Sequence, residues 1–395
     1  MKKPNPKERG RIRRKNVKDR RNGVRRNNIR KRKSHKLTES ILRRDLLNLY
    51  RRDKRNLLNE IYSSVNYKTG TNEIIISEQF GLEEGSLDNF LEKSESIINT
   101  PNLNLNINIK QVTRMWPSSI TMLCSLKQWV DNGENFCKTF KKPNIASTDS
   151  ESEEVNGYLN ESGFYNFVGR SFSRKDLISI PAKSIVKIKR EMTNDNIEDR
   201  EYEILELLRQ NSNFSKEEIE YFNSIILSET FLNVTEHGTG AIDKGWWVLG
   251  QAHKLHEFIS LNIADNGIGL RNSLMIGPQG EQIKNTIPNL SENEGEFLKL
   301  AMEQNVSGAF DAATKSGFIA KSYEQGSRRG NGLKRIKSAC KSLGIEFTML
   351  SHFGYIRYKS DGELDTFGSK KNRIFAGTMY HYLIPLKGNR NIWKR

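Results

Sequence analysis

The sequence predicts a protein of the α/β class, with two folded units that follow a basic arm. Net charge is concentrated at the N-terminus, and segments with strand-like alternation are interspersed with segments of helical periodicity. At 395 residues the chain is long enough for two domains that each bury a core. The predicted units are a basic disordered arm (1–36), an amphipathic helix (37–62), a small α/β domain (63–180) and a larger α/β domain (190–390).

The basic arm contains 18 Lys and Arg residues against Glu8 and Asp19, so it holds +16 of the net charge of +17. It has almost nothing apolar to bury, and we expect it to be disordered. A segment of this kind neutralises phosphates and releases their counterions, which gives salt-sensitive and sequence-independent binding. Nucleic acid is therefore an expected partner of residues 1–36, with a solvated tail as the alternative.

The spacing of the cysteines gives no indication of a zinc site or of a disulfide-stabilised fold. Cys124, Cys137 and Cys340 lie far apart without CxxC or Cys/His ligand spacing. The sequence also lacks an apolar run of about 20 residues, which a membrane-spanning helix requires, and the apolar core of a signal peptide. We expect a cytoplasmic protein that makes no membrane contact.

Apolar residues at helical spacing predict the amphipathic helix, with a break near Asp53. They are Ile41, Leu42, Leu46, Leu49, Leu57, Leu58 and Ile61. In the small domain, the apolar residues 74–76 indicate a strand, and 87–98 a short helix. Residues 103–109 alternate apolar and polar side chains, which predicts a strand with one buried face.

A helix is predicted to begin at Trp116-Pro117, with Ser118 and Ser119 as caps, and to end at Asn132-Gly133. The order of strand, turn and helix, followed by a Tyr-Leu-Asn-Glu-Ser-Gly-Phe segment, resembles the STAS fold of anti-sigma-factor antagonists over about 100–170. That resemblance implies a protein partner for the small domain, while an ordinary α/β unit is the alternative. Residues 146–157, rich in Ser, Asp and Glu, are expected to form an exposed loop.

The C-terminal domain begins with a capping box, Ser215 to Glu218, ahead of a long helix. Glu229, Asn233 and His237 follow at intervals of four residues, so they share one face of that helix. Polar groups stacked on a helix otherwise rich in Ile and Leu need a partner. Metal-bound phosphate would supply one.

Three glycine-containing segments follow. A buried strand at 261–264 leads into Asp265-Asn266-Gly267-Ile268-Gly269, where a carboxylate could accept a hydrogen bond from the amine of adenine. Residues 326–333 open a predicted helix at 334–342, whose N-terminal amides could bind phosphate. Ala376-Gly377-Thr378 precedes a last strand at 380–386.

In this order, the segments resemble the N-box and glycine boxes of the GHKL ATPases, the superfamily of gyrase B, ninety-kilodalton heat-shock chaperones, histidine kinases and MutL, over about 205–388. The resemblance implies an α/β sandwich of the histidine kinase-like (Bergerat) type that binds ATP with Mg²⁺. It also implies a lid at 271–329, with a helix at 294–304. A phosphate-binding loop of the GxxxxGK[ST] type is absent from the sequence.

The resemblance assigns site residues as follows. Glu229 would orient or deprotonate the attacking nucleophile, Asn233 would bind Mg²⁺, and Asp265 would bind adenine with support from Thr378. His237 would contact phosphate or cap its helix. Gly267 and Gly269 would lie beneath the base, and the triphosphate would be bordered by Gly330, Gly332, Leu333, Arg328, Arg329 and Lys334.

Two departures limit the reaction. His35 is the only histidine before His237, so a phosphoacceptor helix is not indicated, and the chain extends only about ten residues beyond the last predicted strand, too few for a transducer domain. The leading hypothesis is an ATP-binding switch driven by slow Mg²⁺-dependent hydrolysis. The alternatives are a serine/threonine protein kinase similar to the anti-sigma-factor kinases, and a nucleic-acid-associated regulator or defence component that senses ATP.

Overall fold

A computed structural model describes residues 45, 48–66, 68–76, 78–83, 87–100, 102–169, 182–191, 196–235, 245–276, 293–303 and 331–386. The predicted basic arm lies outside these ranges, and so does most of the predicted lid. The described part is mixed α/β, with parallel and antiparallel sheets, as the sequence predicts.

The N-terminal unit contains a three-stranded parallel sheet in the order β1-β3-β5. Its elements are α1 (48–63), β1 (Lys68–Ile75), β2 (Gln79–Phe80), α2 (Leu87–Ile98), β3 (Asn102–Asn108), β4 (Arg114–Met115), α3 (Pro117–Phe136), β5 (Asn144–Ser147), α4 (Glu153–Glu161) and α5 (Phe164–Phe167). The strands and helices predicted at 74–76, 87–98 and 103–109 are confirmed.

Three predictions in this unit are wrong in detail. Helix α1 runs through Asp53 without a break. Helix α3 continues past Asn132-Gly133 to Phe136, because Gly133 leaves room for the ring of Phe140 against the helix. The expected loop at 146–157 instead contains the end of β5 and the start of α4, which Ser152 caps by accepting a hydrogen bond from the Val155 amide.

The C-terminal unit contains a seven-stranded antiparallel sheet in the order β11-β10-β9-β12-β8-β7-β6. The strands are β6 (Ile185–Glu191), β7 (Trp246–His253), β8 (Phe258–Asp265), β9 (Glu346–Ser351), β10 (Gly354–Tyr358), β11 (Leu364–Ser369) and β12 (Thr378–Pro385). The predicted strands at 261–264 and 380–386 are confirmed as the central pair β8 and β12, both buried along their whole length.

Helices cover one face of this sheet, called here the inner face. They are α6 (Ile197–Asn211), α7 (Lys216–Tyr221), α8 (Ser228–Leu232), α9 (Gly269–Ile276), α10 (Glu294–Glu303) and α11 (Gly332–Leu343). A π-helical segment, Phe222–Leu227, joins α7 to α8. The predicted capping box is confirmed, since Ser215 and Glu218 exchange hydrogen bonds of 3.1 and 2.8 Å. The helices predicted at 294–304 and 334–342 are confirmed as α10 and α11.

The opposite, outer face of the sheet is covered by α3 from the N-terminal unit. Alternation along β7 sends Trp246 and Val248 to the inner core and Trp247 and Leu249 to the outer one. The outer residues share one hydrophobic cluster with the core of the N-terminal unit, including Leu126 of α3. The two units are therefore packed as one body around the large sheet.

Buried polar groups fix this packing. Ser125 of α3 donates to Asn266 at 2.6 Å, and the Asn266 amide donates to the Ser125 carbonyl at 2.7 Å. Glu83 accepts hydrogen bonds from the Ser118 amide (2.9 Å) and the Ser260 hydroxyl (2.6 Å) and lies 3.6 Å from His381. Burial alone would raise the pKa of Glu83, but these partners outweigh it and hold the pKa at about 2.

The part of the chain that the structure describes has no helix long and apolar enough to cross a membrane.

Candidate nucleotide site

The site lies at one end of the central strands, where β8 ends at Asp265 and β12 begins at Thr378. These two residues are direct partners in the antiparallel register. The Asp265 side chain is 1% exposed and accepts a hydrogen bond of 2.6 Å from the Gly267 amide. Burial raises the pKa of Asp265 to about 7, although the amides of Gly267 and Thr378 and the charge of Lys54 act in the opposite direction.

The turn after Asp265 is held by residues far away in sequence. The Gly267 carbonyl lies 3.2 Å from Nε2 of His352, a histidine whose pKa burial lowers to about 3, so that the ring is neutral. Gly269 has φ +77°, and a Cβ there would approach the His352 ring to 2.8 Å. This position therefore requires glycine on two counts.

The helix that carries Glu229 and Asn233 passes the same end of the sheet. At the C-terminus of α8, the Asn233 amide still bonds to the Glu229 carbonyl, so the interval of four residues keeps both side chains on one face. A Cβ at Gly332, in the first turn of α11, would lie 2.8 Å from Glu229 Oε2 and 3.9 Å from Asn233 Oδ1. The structure thus brings together Glu229, Asn233 and Gly332.

Tyr380 belongs to β12, the strand that begins at Thr378. It lies two residues after Thr378, and it points to the inner core. Burial raises the pKa of its hydroxyl, and the charge of Asp265 raises it further. Further along β12, the hydroxyl of Tyr382 lies 2.7 Å from that of Thr230, the residue after Glu229, so this strand connects the two parts of the site.

Two buried polar atoms in this part of the site lack hydrogen-bond partners in the described part of the chain, and one of them belongs to Asn233. Its Nδ2 is buried without a hydrogen-bond partner among the described residues, and so is Oδ1 of Asn331, the residue that precedes α11. Such groups are rare in folded proteins, and they carry a cost of about 1–3 kcal/mol each. They leave hydrogen-bonding capacity where the α11 amides begin.

Arg335, one turn into α11, makes an ion pair with Glu229. Lys334 is exposed, whereas Leu333 is buried in the inner core. In the described part of α11, Arg335 is therefore the basic residue that contacts the site. His237, Arg328, Arg329 and Gly330 lie outside the described residues.

Comparison with protein-family models, with curated proteins and with solved structures gave no match. Within the described residues, no cluster of three or more His, Cys, Asp or Glu side chains could hold a metal ion by itself.

Sequence reasoning missed four residues of the site. Arg335 and Tyr380 could have been found, because Arg335 follows Gly332 by one helical turn and Tyr380 shares the strand face of Thr378. His352 and Lys54 carried no such signal. His352 is in the tight turn after β9, with φ +48°, and Lys54 comes from α1, 211 positions before Asp265 in the sequence.

Proposed function

We propose that this chain binds ATP with Mg²⁺ through a GHKL-type site and hydrolyses it slowly to drive a conformational or partner switch. The observation that carries the proposal is the approach of Gly332, in the first turn of α11, to the side chains of Glu229 and Asn233. This proximity supports the pairing of an expected magnesium ligand with an expected phosphate-binding helix start.

The residues present fit the two ligands. Asp265 offers a buried carboxylate that could accept a hydrogen bond from the exocyclic amine of adenine. Asn233 Oδ1 lies 3.9 Å from the position that a Cβ of Gly332 would take, so an amide oxygen is available beside the first turn of α11. Mg²⁺ suits such a site, because it takes few protein oxygens and leaves the rest to phosphate and water.

When bound, the cation would neutralise phosphate charge and orient the terminal phosphate. Glu229 would hold the attacking water and accept its proton, and its ion pair with Arg335 would orient the carboxylate. The N-terminal amides of α11, which Gly332 allows close to Glu229, would bind phosphate oxygens.

A switch is supported by the bonds that leave the site. Asn266, next to Asp265, is hydrogen-bonded to Ser125 of α3 in both directions. A change in the turn that holds the base would therefore reach the N-terminal unit without passing through the lid.

The test is titration of the full chain with ATP in the presence of Mg²⁺. We expect saturable binding, and we expect Asp265→Ala to weaken it by about 2–3 kcal/mol, or about 30–150-fold, since a charge-assisted hydrogen bond is lost. Asp88→Ala, at an exposed position in α2, is the matched control. Absence of magnesium-dependent binding, or an unchanged affinity of Asp265→Ala, would overturn the proposal.

Release of phosphate from γ-labelled ATP tests the reaction. Transfer of the label to the chain or to another protein, instead of release, would indicate kinase chemistry.

A further inference from the structure

A second cavity, of about 340 Å³, opens at the far end of β8. It lies between β4 and α4 of the N-terminal unit and the hairpin that joins β7 to β8. Strand β8, whose eight residues begin at this hairpin and end at Asp265, spans about 23 Å, so the cavity is distinct from the candidate nucleotide site. Its volume is within the range of small-molecule sites, roughly 300–1,000 Å³.

Four side chains that line the cavity have buried polar atoms without a hydrogen-bond partner among the described residues. They are Nε1 of Trp116, the hydroxyl of Tyr158, Oε1 of Gln251 and Nε2 of His253. Trp116 is 1% exposed. Orphaned polar atoms are rare in folded proteins, and these four belong to side chains of both units that line the same cavity.

The chemistry of these atoms restricts the ligand. An indole N–H can only donate and an amide oxygen can only accept, so a molecule that satisfies Trp116 and Gln251 must carry both an acceptor and a donor. Aromatic rings form much of the wall, since Trp116 packs against His253 and His256 at centroid distances of 4.9 and 5.0 Å. Such walls favour a flat molecule.

Charge around the cavity restricts the ligand further. Arg114, Lys254 and Glu154 line it, and the buried Glu83 carboxylate lies close enough to act on both Tyr158 and His253. His253 itself is neutral, because burial lowers its pKa to about 4. The presence of both signs of charge leaves no net preference for an anion or a cation.

We propose that this cavity binds an uncharged heteroaromatic molecule of the nucleobase or nucleoside class, held by Trp116, Tyr158, Gln251 and His253. A ligand here would bridge the N-terminal unit and the large sheet, because it would contact residues of both.

The experiment is calorimetric titration of the full chain with adenosine, guanosine, cytidine and uridine. Each titration is repeated with Asp265→Ala, so that binding at the candidate nucleotide site is separated from binding here. We expect at least one nucleoside to saturate at equimolar stoichiometry in both proteins. Tyr158→Phe should weaken that binding at least about tenfold, because the ligand loses a hydrogen bond.

The same variant distinguishes a ligand contact from a structural role. The Tyr158 hydroxyl has no described protein partner to lose, so the melting temperature of Tyr158→Phe should not fall. Gln251→Leu provides a second variant, and Tyr202→Phe, on the exposed side of α6, is the matched control. The proposal is overturned if no nucleoside binds at millimolar concentration, if Asp265→Ala abolishes all binding, or if Tyr158→Phe and Gln251→Leu both bind as wild type does.

Discussion

The two ends of the candidate nucleotide site differ in how far their hydrogen bonds are already satisfied. At the adenine end, Asp265 accepts from the Gly267 amide, and the Gly267 carbonyl meets His352. At the phosphate end, Asn233 and Asn331 keep buried polar atoms without described partners, and Glu229 is held by Arg335 from a neighbouring helix. The proposed adenine end is thus preorganised, whereas the proposed phosphate end has unused hydrogen-bonding capacity.

This difference separates recognition from reaction. Changes at the adenine end should alter the affinity for ATP, because its contacts exist before the ligand arrives. Changes at the phosphate end should alter the dependence on Mg²⁺ and the rate.

The largest effect is expected for Glu229→Gln. Loss of a general base costs about 100- to 10,000-fold in rate, so phosphate release should fall at least about 100-fold while the affinity for Mg-ATP changes little. Glu217→Gln, at an exposed position in α7, which the π-helical segment joins to α8, is the control for loss of an acidic group. An unchanged rate would remove hydrolysis from the proposed function but leave ATP binding intact.

Asn233→Ala should reduce the contribution of Mg²⁺. We expect ATP affinity measured in Mg²⁺ to fall by about 1.5–2 kcal/mol, roughly 10–30-fold, while affinity measured with a chelator stays near the wild-type value. Asn372→Ala, at an exposed position, is the matched control. Equal losses with and without Mg²⁺ would contradict a metal-binding role.

The pH dependence should report on Asp265. A carboxylate with a pKa of about 7 is about one-tenth ionised at pH 6 and about nine-tenths ionised at pH 8, and only the ionised form accepts strongly from adenine. ATP affinity should therefore rise roughly tenfold over this interval. Asp265→Asn is the control, because this variant cannot ionise at position 265 while the phosphates of ATP still titrate. If its ATP affinity still rises with pH, the effect belongs to the phosphates.

The smallest effect is expected at Lys54. Its charge lowers the pKa of Asp265, so Lys54→Met should move the midpoint of the pH dependence upward and weaken binding at pH 7 by about threefold. Lys68→Met, which alters an exposed lysine on β1, should leave the midpoint in place. A downward shift would mean that Lys54 does not act on Asp265 as a positive charge.

Local patterns predicted much of this arrangement. Capping residues and helical periodicity placed the helices that begin at Lys216, Glu294 and Gly332, because caps and apolar faces are encoded within a few residues. The positions of Glu229, Asn233 and Gly332 followed from those helices. Their proximity in space came from the resemblance and not from periodicity.

Long-range packing was beyond the reach of sequence patterns. Strands β6, β7, β9, β10 and β11 were not predicted, and neither was the covering of the outer face by α3. Helix α3 is buried on nearly all sides, so its pattern does not distinguish one partner face from another. The amide atoms of Asn233 and Asn331 without described partners likewise can be identified only when the neighbours of each side chain are known.

The coverage of the outer face by α3 has a thermodynamic consequence. Trp247, Leu249 and Met379 would lose their shelter if the C-terminal half were produced alone, and an isolated sheet with such an apolar face would tend to aggregate. Residues 190–390 should therefore be poorly behaved as an autonomous fragment. The intact chain, by contrast, should melt in a single cooperative step, because the hydrophobic cluster on the outer face is shared by both units.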